Sequence, residues 1–341
     1  MVSLEYVRDI YRQPLMSLVF LAQTVHRQHH QPDAVQLCTL ANIKSGKCPE
    51  DCKYCSQSAR YDTEIETYGL LSVEETMQQA VEAKANGSTR FCMGAAWRRV
   101  PDGPEFERVL EMVRGVRALD MEACVTLGML RPDQARRLAE AGLTAYNHNL
   151  DTSANYYPEI ISTRTYRDRL ETLQAVADAG IKICCGGIVG LGESESDRVE
   201  LLQTLANLAP QPESVPINAL IPAPGTPLGH LEPVDPITLV RTIATARIVM
   251  PQAVVRLSAG RRSMSVSDQA LCFMAGANSI FTGEKLLTAA NPGSGADAQM
   301  FEQLGLKPWE ELPEPVRFGK GARVNEVTSV SVPVPARIPR A

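Results

Sequence analysis

The segment KCPEDCKYC, residues 47–55, places cysteines at positions 48, 52 and 55. Thiolates bind soft or borderline metals, so Cys48, Cys52 and Cys55 read as ligands of zinc or of an iron–sulfur cluster. A structural zinc site needs a fourth Cys or His nearby in the chain. The next eleven residues, SQSARYDTEIE, contain neither. Three loop thiols without a metal would invite oxidation. A four-iron cubane held by three cysteines leaves one iron open to another molecule. The pattern favours such a cluster, with zinc as the alternative.

These residues must be positioned by something. From residue 36 to about 285, short β-type runs alternate with amphipathic helical stretches. The candidate strands are LCTLANIKSG, TRFCMGAA, EACVTLG, TAYNHNLD, IKICCGGIVG, VPINALIPA, AVVRLSAG and NSIFTG. Between them lie helical patterns such as SVEETMQQAVEAKANG, PEFERVLEMVRGVRALD, TYRDRLETLQAVADAG and ITLVRTIATARIV, several opened by Ser, Pro or Asp and closed by Gly. This alternation predicts an α/β fold, a (β/α)8 TIM-type barrel over 36–310, with a doubly wound open sheet as the alternative. Residues 1–35 read as an N-terminal helical extension. The tail, 311–341, is rich in Pro, Val and Arg, has no sustained period and reads as poorly ordered.

Strand parity sorts the remaining side chains, because alternate residues face opposite sides. Arg90, Cys92 and Gly94 share one face, as do Glu122, Cys124 and Thr126. Asn147, Asn149 and Asp151 share a face of the next run, and Lys182, Cys184 and Gly186 of the one after. Asn218 and Arg256 follow. Strand after strand, one parity is apolar and the other carries polar groups and cysteine. A barrel of this class normally fills its lumen with branched apolar residues, and unpaired polar groups there would be costly. The pattern implies an occupied lumen. Singly, each buried cysteine reads as a small hydrophobe. The shared parity of Cys92, Cys124 and Cys184 points instead to a second metal site. Arg256 would be an anion clamp or a partner for Glu122. Cys185 falls on the apolar face, and Cys38 and Cys272 read as buried thiols.

Nine cysteines, an odd number scattered through 341 residues, argue against a secreted disulfide framework and for a cytoplasmic location. The start, MVSLEYVRDIYR, has acidic residues and no cleavage pattern. The apolar stretch LMSLVFLAQTV is too short to span a bilayer. A hydrophobic share of 44%, a charged share of 21% and a net charge of −5 describe a globular protein, with no basic excess for nucleic acid and no membrane partner.

The C-x3-C-x2-C pattern, with an aromatic before its last cysteine, resembles the radical S-adenosylmethionine (SAM) superfamily. Together with GAAWR (94–98), YNHNLDTS (146–153), GGIVGLGE (186–193), VPINALIP (215–222) and VRLSAGR (255–261), it resembles the biotin synthases from about residue 37 to 285. That resemblance implies a [4Fe–4S] cluster on Cys48, Cys52 and Cys55, with SAM chelating the fourth iron. It implies a [2Fe–2S] cluster on Cys92, Cys124, Cys184 and Arg256, the residues that parity had brought together. The implied reaction is radical insertion of sulfur, taken from the second cluster, between a methyl and a methylene carbon of dethiobiotin. Such C–H bonds are beyond acid–base chemistry, so the cofactors must supply the radical. Tyr54 and Ile188 would meet the adenine, Asn149 and Asp151 the ribose, and Arg169 the SAM carboxylate. Asn149 and Asn218, then Asn147, offer both functions of a carboxamide to the substrate's ureido ring. Asp151 has a competing role as an N-cap, and His148, of opposite parity, reads as structural. The resemblance further implies a flavodoxin- or ferredoxin-type electron donor, Fe–S assembly proteins as partners, and a homodimer.

Three rivals stand beside this. Another biotin-synthase-like radical SAM enzyme, of hydrogenase maturase or methylornithine synthase type, would share the barrel and first cluster. A non-catalytic Fe–S scaffold would not need the glycine stretch or the ribose-binding acids. A zinc-stabilised barrel would need neither cluster. The pair Cys184–Cys185 also leaves an alternative ligand.

Overall fold

The computed structural model describes residues 1–309. Two helices come first, α1 (Leu4–Tyr11) and α2 (Leu15–His29), and β1 (Ala34–Lys44) opens the sheet. Then follow α3 (Val73–Ala85), β2 (Arg90–Ala95), α4 (Pro104–Ala118), β3 (Glu122–Thr126), α5 (Pro132–Glu140) and β4 (Ala145–Asn147). The short α6 (Tyr157–Ile160) and α7 (Tyr166–Asp178) lead to β5 (Lys182–Cys184) and β6 (Gly187–Val189). The chain continues through α8 (Glu195–Asn207), β7 (Ser214–Ala219), α9 (Pro236–Val249), β8 (Val254–Leu257), α10 (Val266–Met274) and β9 (Ser279–Phe281). A hairpin, β10 (Lys285–Leu286) and β11 (Ala289–Ala290), then α11 (Ser294–Leu304) and β12 (Lys307–Pro308) end the described residues.

Every strand pairing around the ring is parallel, and β1 pairs with both β2 and β9, which closes the barrel. There are eight staves, because β5 and β6 are two halves of one. The break has a steric cause. A Cβ on Gly186 would lie 1.9 Å from the Pro216 carbonyl oxygen of the neighbouring β7, so only glycine fits. The open-sheet alternative is thereby excluded. All eight anticipated strands are present, although TAYNHNLD forms a ladder only over 145–147. Past that point the chain leaves the sheet at Asp151, whose φ is +67°.

Local signals explain the helices. Capping boxes start α3, α7, α8 and α10, through Ser72 with Glu75, Thr165 with Asp168, Ser194 with Asp197 and Ser265 with Asp268. Proline opens α4, α5 and α9. The layer between strands and helices is one continuous apolar core that includes Cys185 and Cys272, both fully buried. The N-terminal helices pack on the outside of the barrel, α1 against α8 and α2 against α9. Among the described residues, no helix is long and apolar enough to cross a membrane. The tail read from the sequence, 311–341, lies outside the described residues.

Candidate active site

The barrel floor is polar. Fully buried Arg90 donates from Nε to Glu122 Oε2 at 2.8 Å and from Nη2 to Glu213 at 3.0 and 3.1 Å. Gln36 Nε2 donates to Glu122 Oε2 at 3.1 Å, and Lys182 Nζ lies 3.5 Å from Oε1. Burial would push the Glu122 carboxyl up, but Arg90 and Lys182 together hold it below its ordinary range. Glu122 is therefore already paired, and the expectation that Arg256 might serve it is not met.

Above this floor Cys38, Cys92, Cys124 and Cys184 cluster with Ala145, Phe281 and Leu286. Strand register explains the gathering: Cys92 on β2 pairs with Cys124 on β3, and Cys184 on β5 pairs with Asn147 on β4. The closeness of the three sulfurs raises the Cys124 thiol and lowers those of Cys92 and Cys184, so one proton stays on Cys124 while its two neighbours lose theirs more readily. Arg256, 1% exposed, reaches into the same space. Its Nε donates to Ser279 Oγ at 2.9 Å, its Nη1 lies 3.9 Å from Cys184 Sγ and its Nη2 3.3 Å from Cys38 Sγ. Among the described residues it has no carboxylate within ion-pair distance. Arg247, also buried without a carboxylate, is satisfied by the carbonyls of Gly276, Pro251 and Ala253. Arg256 has only a hydroxyl, a carboxamide and two sulfurs. Arg90, whose charge also reaches Cys38 and Cys124, leaves Nη1 buried without a partner. A soft donor set beside the Arg256 guanidinium, which has no carboxylate partner, and beside the unpartnered Nη1 of Arg90 fits an anionic iron–sulfur cluster.

The first thiol set lies on the loop after β1, at the C-terminal mouth of the barrel, where enzymes of this architecture keep their chemistry. Cys52 is buried, while Cys48 and Cys55 are half-buried. Burial pushes the Cys52 thiol up to about 12 and that of Cys55 up to about 11. Neither is a thiolate until something positive takes the proton's place. The loop is tied down by Asp51, whose carboxylate accepts from the backbone amides of Ser162 and Thr163 at 2.9 and 3.1 Å and from the Thr163 hydroxyl at 2.8 Å. Against burial, which would raise it, these bonds hold Asp51 down at about 2. Arg164 reaches under the loop, with Nη2 3.8 Å from Cys52 Sγ and Nε buried without a partner. An orphaned cation beside three thiols again fits an anionic group.

The other anticipated residues surround the mouth. Tyr54, Cys55 and Ile188 pack on one apolar cluster with Cys52, Tyr157 and Leu220. Arg169 does not stand free: its Nη2 lies 2.5 Å from Asp151 Oδ2 and its Nε 3.0 Å from the Tyr157 hydroxyl. Asp151 is consequently not an N-cap. Ser153 takes the local role by accepting from Tyr156 N at 3.0 Å. Asn147 donates to Asn149 Oδ1 at 3.2 Å and to Cys184 Sγ at 3.3 Å. Asn218 donates to the Gly187 carbonyl at 3.0 Å. His148 is 2% exposed, and burial holds its pKa well below the ordinary value, as a structural residue requires. Read from sequence, Cys38 is only a buried thiol, Arg90 shares the lumen face but has no assigned partner, and nothing singles out Arg164. Cys38 shares its parity with Gln36 and Leu40, a signal present but unread, whereas Arg164 sits in a loop without period.

The chain matches the radical SAM superfamily over residues 42–205 and the Biotin and Thiamin Synthesis associated domain over 216–307. A biotin synthase of Synechococcus sp. (strain JA-3-3Ab) is 69% identical over 307 residues, covering 90% of this chain and 99% of that one. The chain belongs to the biotin synthase family. Among solved structures, a methylornithine synthase matches with a TM-score of 0.76 at 18% identity over 90% of this chain and 94% of that one. A maturase of the [FeFe]-hydrogenase matches with a TM-score of 0.77 at 14% identity over 90% and 72%. At such identities these two show the barrel fold alone. They are the same two enzyme types that the sequence raised as rivals, and fold does not separate them from a biotin synthase. Sequence identity does.

Proposed function

We propose that this chain is a radical SAM sulfurtransferase that converts dethiobiotin to biotin. The observation that carries it is the 69% identity to a biotin synthase across nine-tenths of the chain. The lumen that gathers Cys92, Cys124, Cys184 and Arg256 supports it. When bound, a [4Fe–4S] cluster with SAM supplies the 5′-deoxyadenosyl radical, and a [2Fe–2S] cluster supplies the sulfur.

The protein's own tasks are holding and excluding. Cys48, Cys52 and Cys55 hold the first cluster on a loop clamped by Asp51. Cys92, Cys124, Cys184 and Arg256 hold the second above the polar floor. Tyr54 and Ile188 offer an apolar face to the adenine, Asn149 and Asp151 meet the ribose, and Arg169 meets the SAM carboxylate. Their mutual ion pair keeps Arg169 and Asp151 in place for this. Asn147, Asn149 and Asn218 orient the ureido ring, and Asn147 does so while touching Cys184, which brings substrate and second cluster together. The division into a helical extension (1–35), a barrel (36–310) and a tail (311–341), a cytoplasmic location, a homodimer, a flavodoxin- or ferredoxin-type donor and Fe–S assembly partners complete the proposal.

The test is an anaerobic assay of the reconstituted protein with SAM, reductant and dethiobiotin, read by mass spectrometry. Biotin and 5′-deoxyadenosine together are expected. Deoxyadenosine without biotin, from protein shown to carry both clusters, would contradict the substrate.

A further inference from the structure

Four thiols, not three, line the lumen. Cys38 lies on β1, fully buried, and pairs in register with Arg90 on β2 and Phe281 on β9. A buried cysteine is ordinarily a small hydrophobe, but the neighbours of this sulfur are polar. Arg256 Nη2 lies 3.3 Å from it, Gln36 Oε1 3.5 Å and Ser279 Oγ 3.6 Å. The same guanidinium spans from Cys38 to Cys184, using Nη2 for one sulfur and Nη1 for the other. Its orientation is fixed by Ser279 and by the Phe281 ring, whose centroid is 4.7 Å from the guanidinium carbon. Cys38 and Cys184 therefore sit at the two terminal nitrogens of one guanidinium head.

The chemistry of the two candidates is unequal. A guanidinium is nearly always protonated and has no lone pair to give, whereas a thiol readily loses its proton to a coordinated metal. A site offering three thiols and a guanidinium, with a fourth thiol in contact with that guanidinium, holds a better ligand beside a worse one.

We propose that Cys38 is a reserve ligand of the lumen site, which takes the iron position assigned to Arg256 when the guanidinium is displaced. This rests on the reading that Cys92, Cys124 and Cys184 carry an iron–sulfur cluster. In the exchange an iron–nitrogen bond breaks and an iron–sulfur bond forms. The Cys38 proton passes across the 3.3 Å contact to the departing guanidine nitrogen, and no electron is transferred. A site with such a reserve keeps its iron when the arginine lets go.

The test uses full-length protein reconstituted anaerobically with iron and sulfide, with lumen iron read by Mössbauer spectroscopy, which separates two-iron from four-iron sites, and ligation read by resonance Raman. Arg256→Ala and the gentler Arg256→Gln are compared with the same changes combined with Cys38→Ser. Both single variants are expected to keep the lumen cluster, with iron–thiolate bands altered from wild type. The double variants are expected to hold on the order of tenfold less lumen iron. Equal iron and superimposable spectra in single and double variants would overturn the proposal. So would loss of the cluster from both single variants, in apo protein that melts as wild type does. Absence of a lumen cluster from the wild type, with the loop cluster present, would instead overturn the reading on which it rests, and the proposal with it.

Discussion

Arg169 and Asp151, on α7 and on the turn after β4, form a buried ion pair with Nη2 2.5 Å from Oδ2. Their relative exposures, 6% and 3%, put them among the few charges the barrel mouth keeps from water. The arginine's Nε is taken up by the Tyr157 hydroxyl, and the guanidinium lies 5.8 Å over that ring. Such a pair holds both groups in one orientation more than it stabilises the fold.

Removing one partner leaves the other charged and buried. Arg169→Met and Asp151→Leu are each expected to lower the unfolding free energy of the metal-free protein by about 3–5 kcal/mol, and the two together to recover much of the loss. Urea titration checks this. All three variants are expected to bind SAM at least about tenfold more weakly, the loss of one charge-assisted contact. A double variant no more stable than the singles would contradict the pairing.

Asp51 links the cysteine loop to residues 162–163, and its folded pKa of about 2 lies below the ordinary carboxylate value of roughly 3.9. The sign follows. A depressed carboxyl contributes stability that is fully present above the unfolded pKa and is lost as pH falls toward the folded one. In the metal-free protein, Asp51→Asn is expected to lower the melting temperature at pH 7, and the gap to wild type should close between about pH 4 and pH 2. A gap independent of pH would show that the loss comes from geometry and not from charge.

Cys184 and Cys185 are adjacent, yet one faces the lumen cluster and the other the apolar core. Cys184→Ala is expected to abolish the two-iron signal and biotin formation. Cys185→Ala should retain both and cost about 1 kcal/mol of stability. Mössbauer spectra of the two variants decide it, and a lost signal in Cys185→Ala would reverse the ligand assignment.

At the floor, Arg90→Met leaves Glu122 and Glu213 with Lys182 as their one nearby cation among the described residues. The variant is expected to lose about 3–5 kcal/mol at neutral pH by urea titration. The loss should shrink as pH falls below about 4.3, the ordinary Glu value, toward the lower value that Arg90 and Lys182 impose on folded Glu122. A loss of under about 1 kcal/mol would mean that the floor is wetter than its burial indicates.

Much of this was legible beforehand because the period of a strand is short and strict. Parity alone placed Cys92, Cys124 and Cys184 on one face, separated Cys184 from Cys185, and set His148 apart from Asn147 and Asn149. Helix starts were legible through their capping pairs. What could not be read was pairing across the barrel. Glu122 finds Arg90, Lys182 and Gln36 because closure of the ring brings β1, β2, β3 and β5 ends together, and no local pattern encodes that. Asp151 looked like an N-cap because its neighbours in sequence offered one; the αL turn at that residue sends its carboxylate to Arg169 instead. Arg164 and Cys38 were missed for different reasons, one in a loop without period and the other overshadowed by three stronger candidates.

The central claim is that sulfur held in the lumen enters the product, and heavy-isotope sulfide tests it most directly. The protein is reconstituted with labelled sulfide, freed of excess, and given SAM, reductant and dethiobiotin for a single turnover. Labelled biotin is expected from the wild type and none from Cys184→Ala. Unlabelled biotin from wild-type protein that still carries its labelled two-iron cluster would contradict the account.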